Sequence, residues 1–244
     1  MQPPRRVLFV HGLGSGSNGH KVHELRAQGI EVIACDMDVS LWDVRRANSI
    51  VRRVLDTPSK LFSYWPWKWL ASAIDDSFQG CLNVQRTALL SQQKAVDVLI
   101  GSSWGGAVAA ALLVEGSWSG PTILLCPALR AKDRWFGSES KSLSADAVTA
   151  RLAGIPATVK ARCLLVHGDQ DQDSSVPLSD SEALAESTYI SLEVIPTEDT
   201  LSASSFRMDG SPRWWSGSWR HRATGGVSGR LPCAPMLLEV DSAD

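Results

Sequence analysis

The chain has 244 residues, 44% of them hydrophobic and 20% charged, which suits one domain with a sizeable core. Its net charge of −2 carries no basic surplus, so nothing in the balance asks for nucleic acid or an anionic membrane as partner. No apolar run reaches the ~18–20 residues of a membrane-crossing helix.

In chain order, short apolar runs alternate with helix-like stretches. Val7–Val10 ends in His11-Gly12, Gly29–Cys35 ends in Asp36, and Ala95–Gly101 runs straight into Ser102-Ser103. Pro121–Cys126 ends in Pro127, Ala161–Val166 in His167-Gly168-Asp169, and Ile190–Ile195 in Pro196. Runs this short and this apolar suit strands covered on both faces. Helical spacing or strong helix formers occupy Asn18–Gln28, Leu41–Leu55, Leu82–Lys94, Ala107–Val114, Ala145–Leu152 and Leu178–Glu186. This order predicts an α/β fold, a parallel sheet with helices on both faces. Right-handed crossovers then put every strand C-terminus on one edge, where ligands bind.

The segment 37–79 carries Trp42, Tyr64, Trp65, Trp67 and Trp69. It reads either as a small cap or helical insertion that shapes an apolar pocket, or as a helix buried on the sheet. Cys35, Cys81, Cys126, Cys163 and Cys233 are odd in number, far apart and without a C-x-x-C pair. Buried, reduced thiols are expected, with no disulfide and no metal site. The opening MQPPRR meets a strand-like run too soon for the apolar region of a secretion signal, so the expected location is cytoplasmic.

The chemistry sits at the strand ends. Gly101-Ser102-Ser103-Trp104-Gly105 is a G-x-S-x-G pentapeptide between a strand and a glycine-opened helix. A serine on such a sharp turn needs small residues two positions away on both sides. Its Oγ is then lifted clear of the sheet at a helix N-terminus. His11-Gly12-Leu13-Gly14 follows the first strand. As a phosphate loop this stretch lacks the Gly-Lys-Ser/Thr ending, and its G-x-G-x-x-G spacing fails at Ser17.

The two motifs together resemble the α/β-hydrolase superfamily over about residues 5–198. The resemblance implies a serine hydrolase with Ser103 as nucleophile. The Leu13 and Trp104 N–H groups would form the oxyanion hole, His11 would be structural, and a small ester-like molecule would be the substrate. It implies no cofactor and no metal. His167-Gly168-Asp169-Gln170-Asp171, with Val176-Pro177 beyond, matches the family's acid loop. Counting from the strand end selects Asp171 as triad acid; counting back from Val176-Pro177 selects Asp173. Asp171 is preferred, because a strand end fixes position better than a loop.

The pattern breaks at the end of the chain. The family's triad histidine follows the last strand, but here Thr197-Glu198-Asp199-Thr200 follows and no histidine comes before His221. Residues 200–230 hold five arginines, one aspartate and three tryptophans, interrupted by Gly, Ser and Pro. No helical period survives there, so the final covering helix is expected to be missing. The organisation expected is a hydrolase domain over 1–199 and an atypical, disordered tail over 200–244. A shift of reading frame near Asp199 accounts for the break. With a suitable choice of codons, the alternative frame reads His-Pro-Leu-Ser-Ile-Ile-Val, a histidine in the family's place followed by an apolar stretch. The other account is a genuine basic, Trp-containing tail. The chain is then either an active serine hydrolase or a catalytically impaired hydrolase-fold protein that serves as a binding module.

Overall fold

A computed structural model describes residues 6–13, 15–37, 66–92, 96–136, 144–169 and 176–196. The described elements are β1 (Arg6–Val10), α1 (His20–Ala27), β2 (Glu31–Ile33), α2 (Pro66–Gln92), β3 (Val98–Ser102) and α3 (Trp104–Glu115). They continue through β4 (Thr122–Leu125), α4 (Leu129–Phe136), α5 (Ala145–Gly154), α6 (Ala157–Lys160), β5 (Cys163–Gly168), α7 (Leu178–Thr188) and β6 (Ser191–Ile195).

The six strands form one sheet in the order β2-β1-β3-β4-β5-β6, and every neighbouring pair is parallel. This is the α/β arrangement that the alternating runs predict. β1 starts in the interior of the sheet; β2 joins it on one side and β3 on the other. The strand order therefore reverses between β1 and β3, and the crevice at such a reversal is where open α/β sheets bind ligands. The His11-Gly12 loop leaves the end of β1, and Ser103 follows the end of β3.

Burial follows the same logic. β3, β4 and β5 are buried at every residue, as strands covered on both faces must be. α3 is buried without a break from Trp104 to Leu113. A helix apolar all round belongs inside, and its run of alanines lets it lie close to the sheet. It ends at Gly116, whose left-handed φ of 74° returns its N–H to the Leu112 and Leu113 carbonyls. α5 is opened by Ser144, whose side chain accepts from the Ala147 N–H at 3.3 Å.

Three differences from the sequence reading have physical causes. The helix expected over Leu82–Lys94 is the second half of α2, which begins at Pro66, a residue pre-set for the first helical position. Residues 66–79 of the aromatic segment are thus the opening of this helix, on which Ile74 and Phe78 are fully buried. α4 and α6 are additional; LRAKDRWF is short and polar, and a single turn such as ATVK leaves no period to read. Of the cysteines, Cys81 and Cys163 are buried, Cys35 and Cys126 half-buried, and all four are thiols; burial pushes Cys163 up to about 11.

Among the described residues no helix is long and apolar enough to cross a membrane. The expected helix over 41–55, residues 38–65 of the aromatic segment, Cys233, and the tail with His221 all lie outside the described residues.

Candidate active site

Ser103 is the cap residue between β3 and α3, with φ 54° and ψ −114°. A side-chain-bearing residue pays for this conformation, so it persists only where the surroundings fix it. They do so from both sides: the Ser103 N–H donates to the Leu125 carbonyl at 2.8 Å, and the Ser103 carbonyl accepts from the Ala128 N–H at 3.0 Å and the Ala107 N–H at 3.2 Å. The backbone is clamped on both sides. Ser103 makes no side-chain capping bond to its own helix.

The glycines of the pentapeptide are sterically required. A Cβ on Gly101 would lie 2.7 Å from the Ala109 Cβ, and one on Gly105 would overlap the Val10 carbonyl and sit 2.5 Å from the His11 carbonyl oxygen. Real Cβ atoms essentially never come that close. The two glycines let α3 rest on β3 and on the end of β1, which forces the sharp turn at Ser103. Gly12 does the same for the loop: its Cβ would lie 3.2 Å from the Ser103 Cβ and 3.7 Å from the Ser103 Oγ. The His11-Gly12-Leu13 backbone is thereby laid against the serine.

Trp104, the residue after Ser103, is 1% exposed and packs edge-on against Phe78 of α2, with ring centroids 5.4 Å apart. Its backbone N–H opens α3, one of the helix-end N–H groups that have no partner within the helix. Leu13 is half-buried and rests against the main core.

His11 is tied up in the loop. The Met37 N–H donates to its Nε2 at 3.3 Å, so the ring proton is on Nδ1 and donates to the Gly12 carbonyl at 3.0 Å. That assignment leaves no proton between Nε2 and the Asp36 carboxylate 3.9 Å away. The role it fits is to hold the turn in which Gly12 meets Ser103.

His167, 1% exposed, is equally committed. Its Nδ1 lies 2.8 Å from the Ser181 Oγ and its Nε2 3.1 Å from the Val176 carbonyl. The carbonyl can only accept, so Nε2 carries the proton and the Ser181 hydroxyl donates to Nδ1. His167 thus joins the end of β5 to Val176, closing the loop between them, and the Asp169 N–H donates to the Ile195 carbonyl at 3.0 Å. Asp171 and Asp173 belong to that loop but lie outside the described residues. The same holds for everything after Pro196. His20 and His23 occupy exposed positions on α1.

Beyond the mouth of the sheet, Arg134 of α4 grips Asp180 of α7 with two bonds, at 2.9 and 2.7 Å. The Asp180 side chain is 8% exposed, and its carboxylate holds the Arg134 guanidinium above its ordinary range.

No family model matches the chain, and no curated protein matches it in sequence. Solved structures do match in fold. TT1662 from Thermus thermophilus superposes with a TM-score of 0.51 at 18% identity, over 80% of this chain and 81% of that one. The acylaminoacyl peptidase of Pyrococcus horikoshii, uncomplexed, gives 0.50 at 13% identity; 80% of this chain spans 33% of the peptidase. An esterase domain from a Rhodothermus marinus protein gives 0.46 at 16% identity, over 80% of this chain and 76% of the domain. The chain has the α/β-hydrolase fold.

Proposed function

We propose that this chain is built as a serine hydrolase for esters or related carbonyl compounds, with Ser103 as nucleophile. The observation that carries the reading is the backbone of Ser103: a left-handed φ of 54° at the strand-to-helix elbow, with Gly12 so near that an added Cβ would lie 3.2 Å from the Ser103 Cβ. Such strain is kept where a serine must be presented, and the fold's ligand crevice lies at this point.

In this mechanism the Ser103 Oγ attacks the substrate carbonyl and its proton passes to a base. The Leu13 and Trp104 N–H groups receive the oxyanion, each worth about 3 kcal/mol when well aimed. The proton then goes to the departing alcohol, and water attacks the acyl-enzyme and regenerates Ser103. Asp171 is the acid that orients the base, and a small-molecule ester is the substrate.

The base is the weak point, and it supports the second reading of an impaired hydrolase that retains binding. Two of the described histidines are committed elsewhere, and neither of the other two bonds to Ser103. His221 stands about two dozen residues past Ile195, in a sequence without a packing period. The alternative reading frame near Asp199 would restore a histidine immediately after β6.

The deciding experiment measures p-nitrophenyl acetate hydrolysis. The chain as written should turn over poorly, with little effect of His221→Ala. A chain whose residues 200–244 are replaced by the alternative-frame sequence should be faster by about three orders of magnitude or more, and Ser103→Ala should abolish the gain. Efficient turnover by the written chain, lost on His221→Ala, would mean that the tail itself completes the triad and would overturn the frame account.

A further inference from the structure

The backbone of Ser103 is held by the few residues that follow β4. Ser102, the residue before it, accepts from the Lys21 Nζ of α1 at 2.8 Å, and it pairs with Leu125 in the parallel ladder. The Ser103 N–H reaches the Leu125 carbonyl, at 2.8 Å, as the next rung of that ladder. There the two chains part, because Ser103 opens α3. Yet the Ala128 N–H, a short step beyond Leu125, donates back to the Ser103 carbonyl at 3.0 Å. The chain after β4 must therefore fold over the elbow between Leu125 and Ala128.

The fold is made at Cys126, whose φ is 44°. On its N–H side Cys126 still belongs to the sheet, donating to the Val166 carbonyl of β5 at 2.9 Å; beyond its Cα the chain turns. Two local preferences oppose this. A residue with a Cβ avoids positive φ, and a residue before proline is driven towards extended backbone. Among the described residues only Ser103, Cys126 and Tyr189 carry a Cβ at positive φ, and the first two meet through Leu125 and Ala128. Such strain persists where the surroundings fix it, and here they do. Pro127 lies so close to α3 that a Cβ on Gly106 would come 2.9 Å from the Pro127 Cα. Cys126 rests on a small apolar cluster of Ala128, Ala131 and Val176, and the Val176 carbonyl accepts from His167. The turn thus lies between the elbow and the loop that His167 closes.

We infer that Cys126 is a positioning residue for Ser103, acting through its backbone and not its thiol. Its left-handed turn brings the Leu125 carbonyl and the Ala128 N–H onto the same residue, and so sets the angle at which the Ser103 hydroxyl is presented. The effect on rate rests on the hydrolase reading of Ser103, and the experiment separates the two. Labelling of Ser103 by an uncharged fluorophosphonate is followed in the full-length chain. Cys126→Val, whose branched side chain resists positive φ, should cut the maximal labelling rate by about tenfold or more while the half-saturating reagent concentration stays within about twofold. Cys126→Gly accepts positive φ and should label at the wild-type rate although the thiol is gone. Tyr189→Val, at the exposed end of α7 where φ is 61°, loads the backbone in the same way and should leave labelling unchanged. Amide hydrogen exchange of the unsubstituted chain supplies a readout free of activity and of any folding defect. The Ser103, Cys126 and Ala128 N–H groups should exchange together, as one opening, and where Cys126→Val folds it should speed all of them. Wild-type labelling by Cys126→Val, equal slowing by Cys126→Gly or by Tyr189→Val, or a Ser103 amide that exchanges independently of Cys126 and Ala128, overturns the inference. Joint exchange without labelling of Ser103 in any chain would sink the hydrolase reading and leave the turn's hold on Ser103 standing.

Discussion

Gly12 and Ser103 meet so closely that a methyl group on residue 12 would lie 3.2 Å from the Ser103 Cβ. That distance is tight but not impossible, so one of the two must yield by a few tenths of an ångström. The loop is the freer partner, since hydrogen bonds clamp Ser103 on both its N–H and its carbonyl. Gly12→Ala should therefore shift the Leu13 N–H away from the oxyanion and slow fluorophosphonate labelling of Ser103 by about tenfold or more. The melting temperature should move by less than about 3 °C. Labelling at the wild-type rate would show that the loop plays no part in the reaction.

Gly105→Ala should behave differently. Its Cβ would overlap the Val10 carbonyl, backbone against backbone, and neither side can swing away. A loss of about 2–4 kcal/mol in denaturant unfolding is expected. Gly116→Ala is the control: nothing lies near its Cβ, and only the φ of 74° opposes it, at a cost of about 1 kcal/mol. Equal losses for the two would refute the steric account of the elbow.

His167→Phe keeps the bulk of a buried ring and removes both of its bonds, leaving the Ser181 hydroxyl and the Val176 carbonyl to be satisfied elsewhere. We expect a loss of about 2 kcal/mol or more. The loop that His167 closes, with Asp171 and Asp173, should then be cut faster by a protease specific for acidic residues, at concentrations where the wild-type chain survives. Unchanged cleavage between residues 169 and 176 would mean that the loop is held by other contacts.

Glu193 lies on the edge strand β6, and burial raises its carboxyl above the ordinary range. The fold thus prefers the neutral acid, and the stability it contributes is fully present below the unfolded value of about 4.3 and is lost as pH rises through the folded one. Glu193→Gln should raise the melting temperature slightly at pH 7 and leave it unaltered at pH 4. Glu193 is only partly desolvated on this exposed edge strand, so the effect is small; a change of the opposite sign at pH 7 would contradict this account.

The strand ends and the elbow were legible because each is a local signal: an apolar run, a pair of glycines at fixed offsets, a helix that begins at once. α2 was legible only in its second half, because tryptophans at helical spacing suit a cap and a covering helix equally well. The Lys21 to Ser102 bond joins residues 81 positions apart, and no spacing rule reaches that far. Lys132 reads as a surface residue in LRAKDRWF; it is buried because α4 turns that side onto Phe78 and Asp75 of α2.

Lys132 also gives the molecule a chemical reporter. Its Nζ is 2.7 Å from the Asp133 Oδ1, at an angle outside hydrogen-bond geometry, and the side chain is 0% exposed. The Asp133 carboxylate in turn accepts from the Ala145 N–H at 2.6 Å, at the start of α5. An amine-reactive acylating reagent can reach Lys132 only when α2, α4 and α5 part. The rate at which this one lysine is modified, read by peptide mass against exposed Lys21, measures how often that corner of the fold opens while the rest of the protein stays folded.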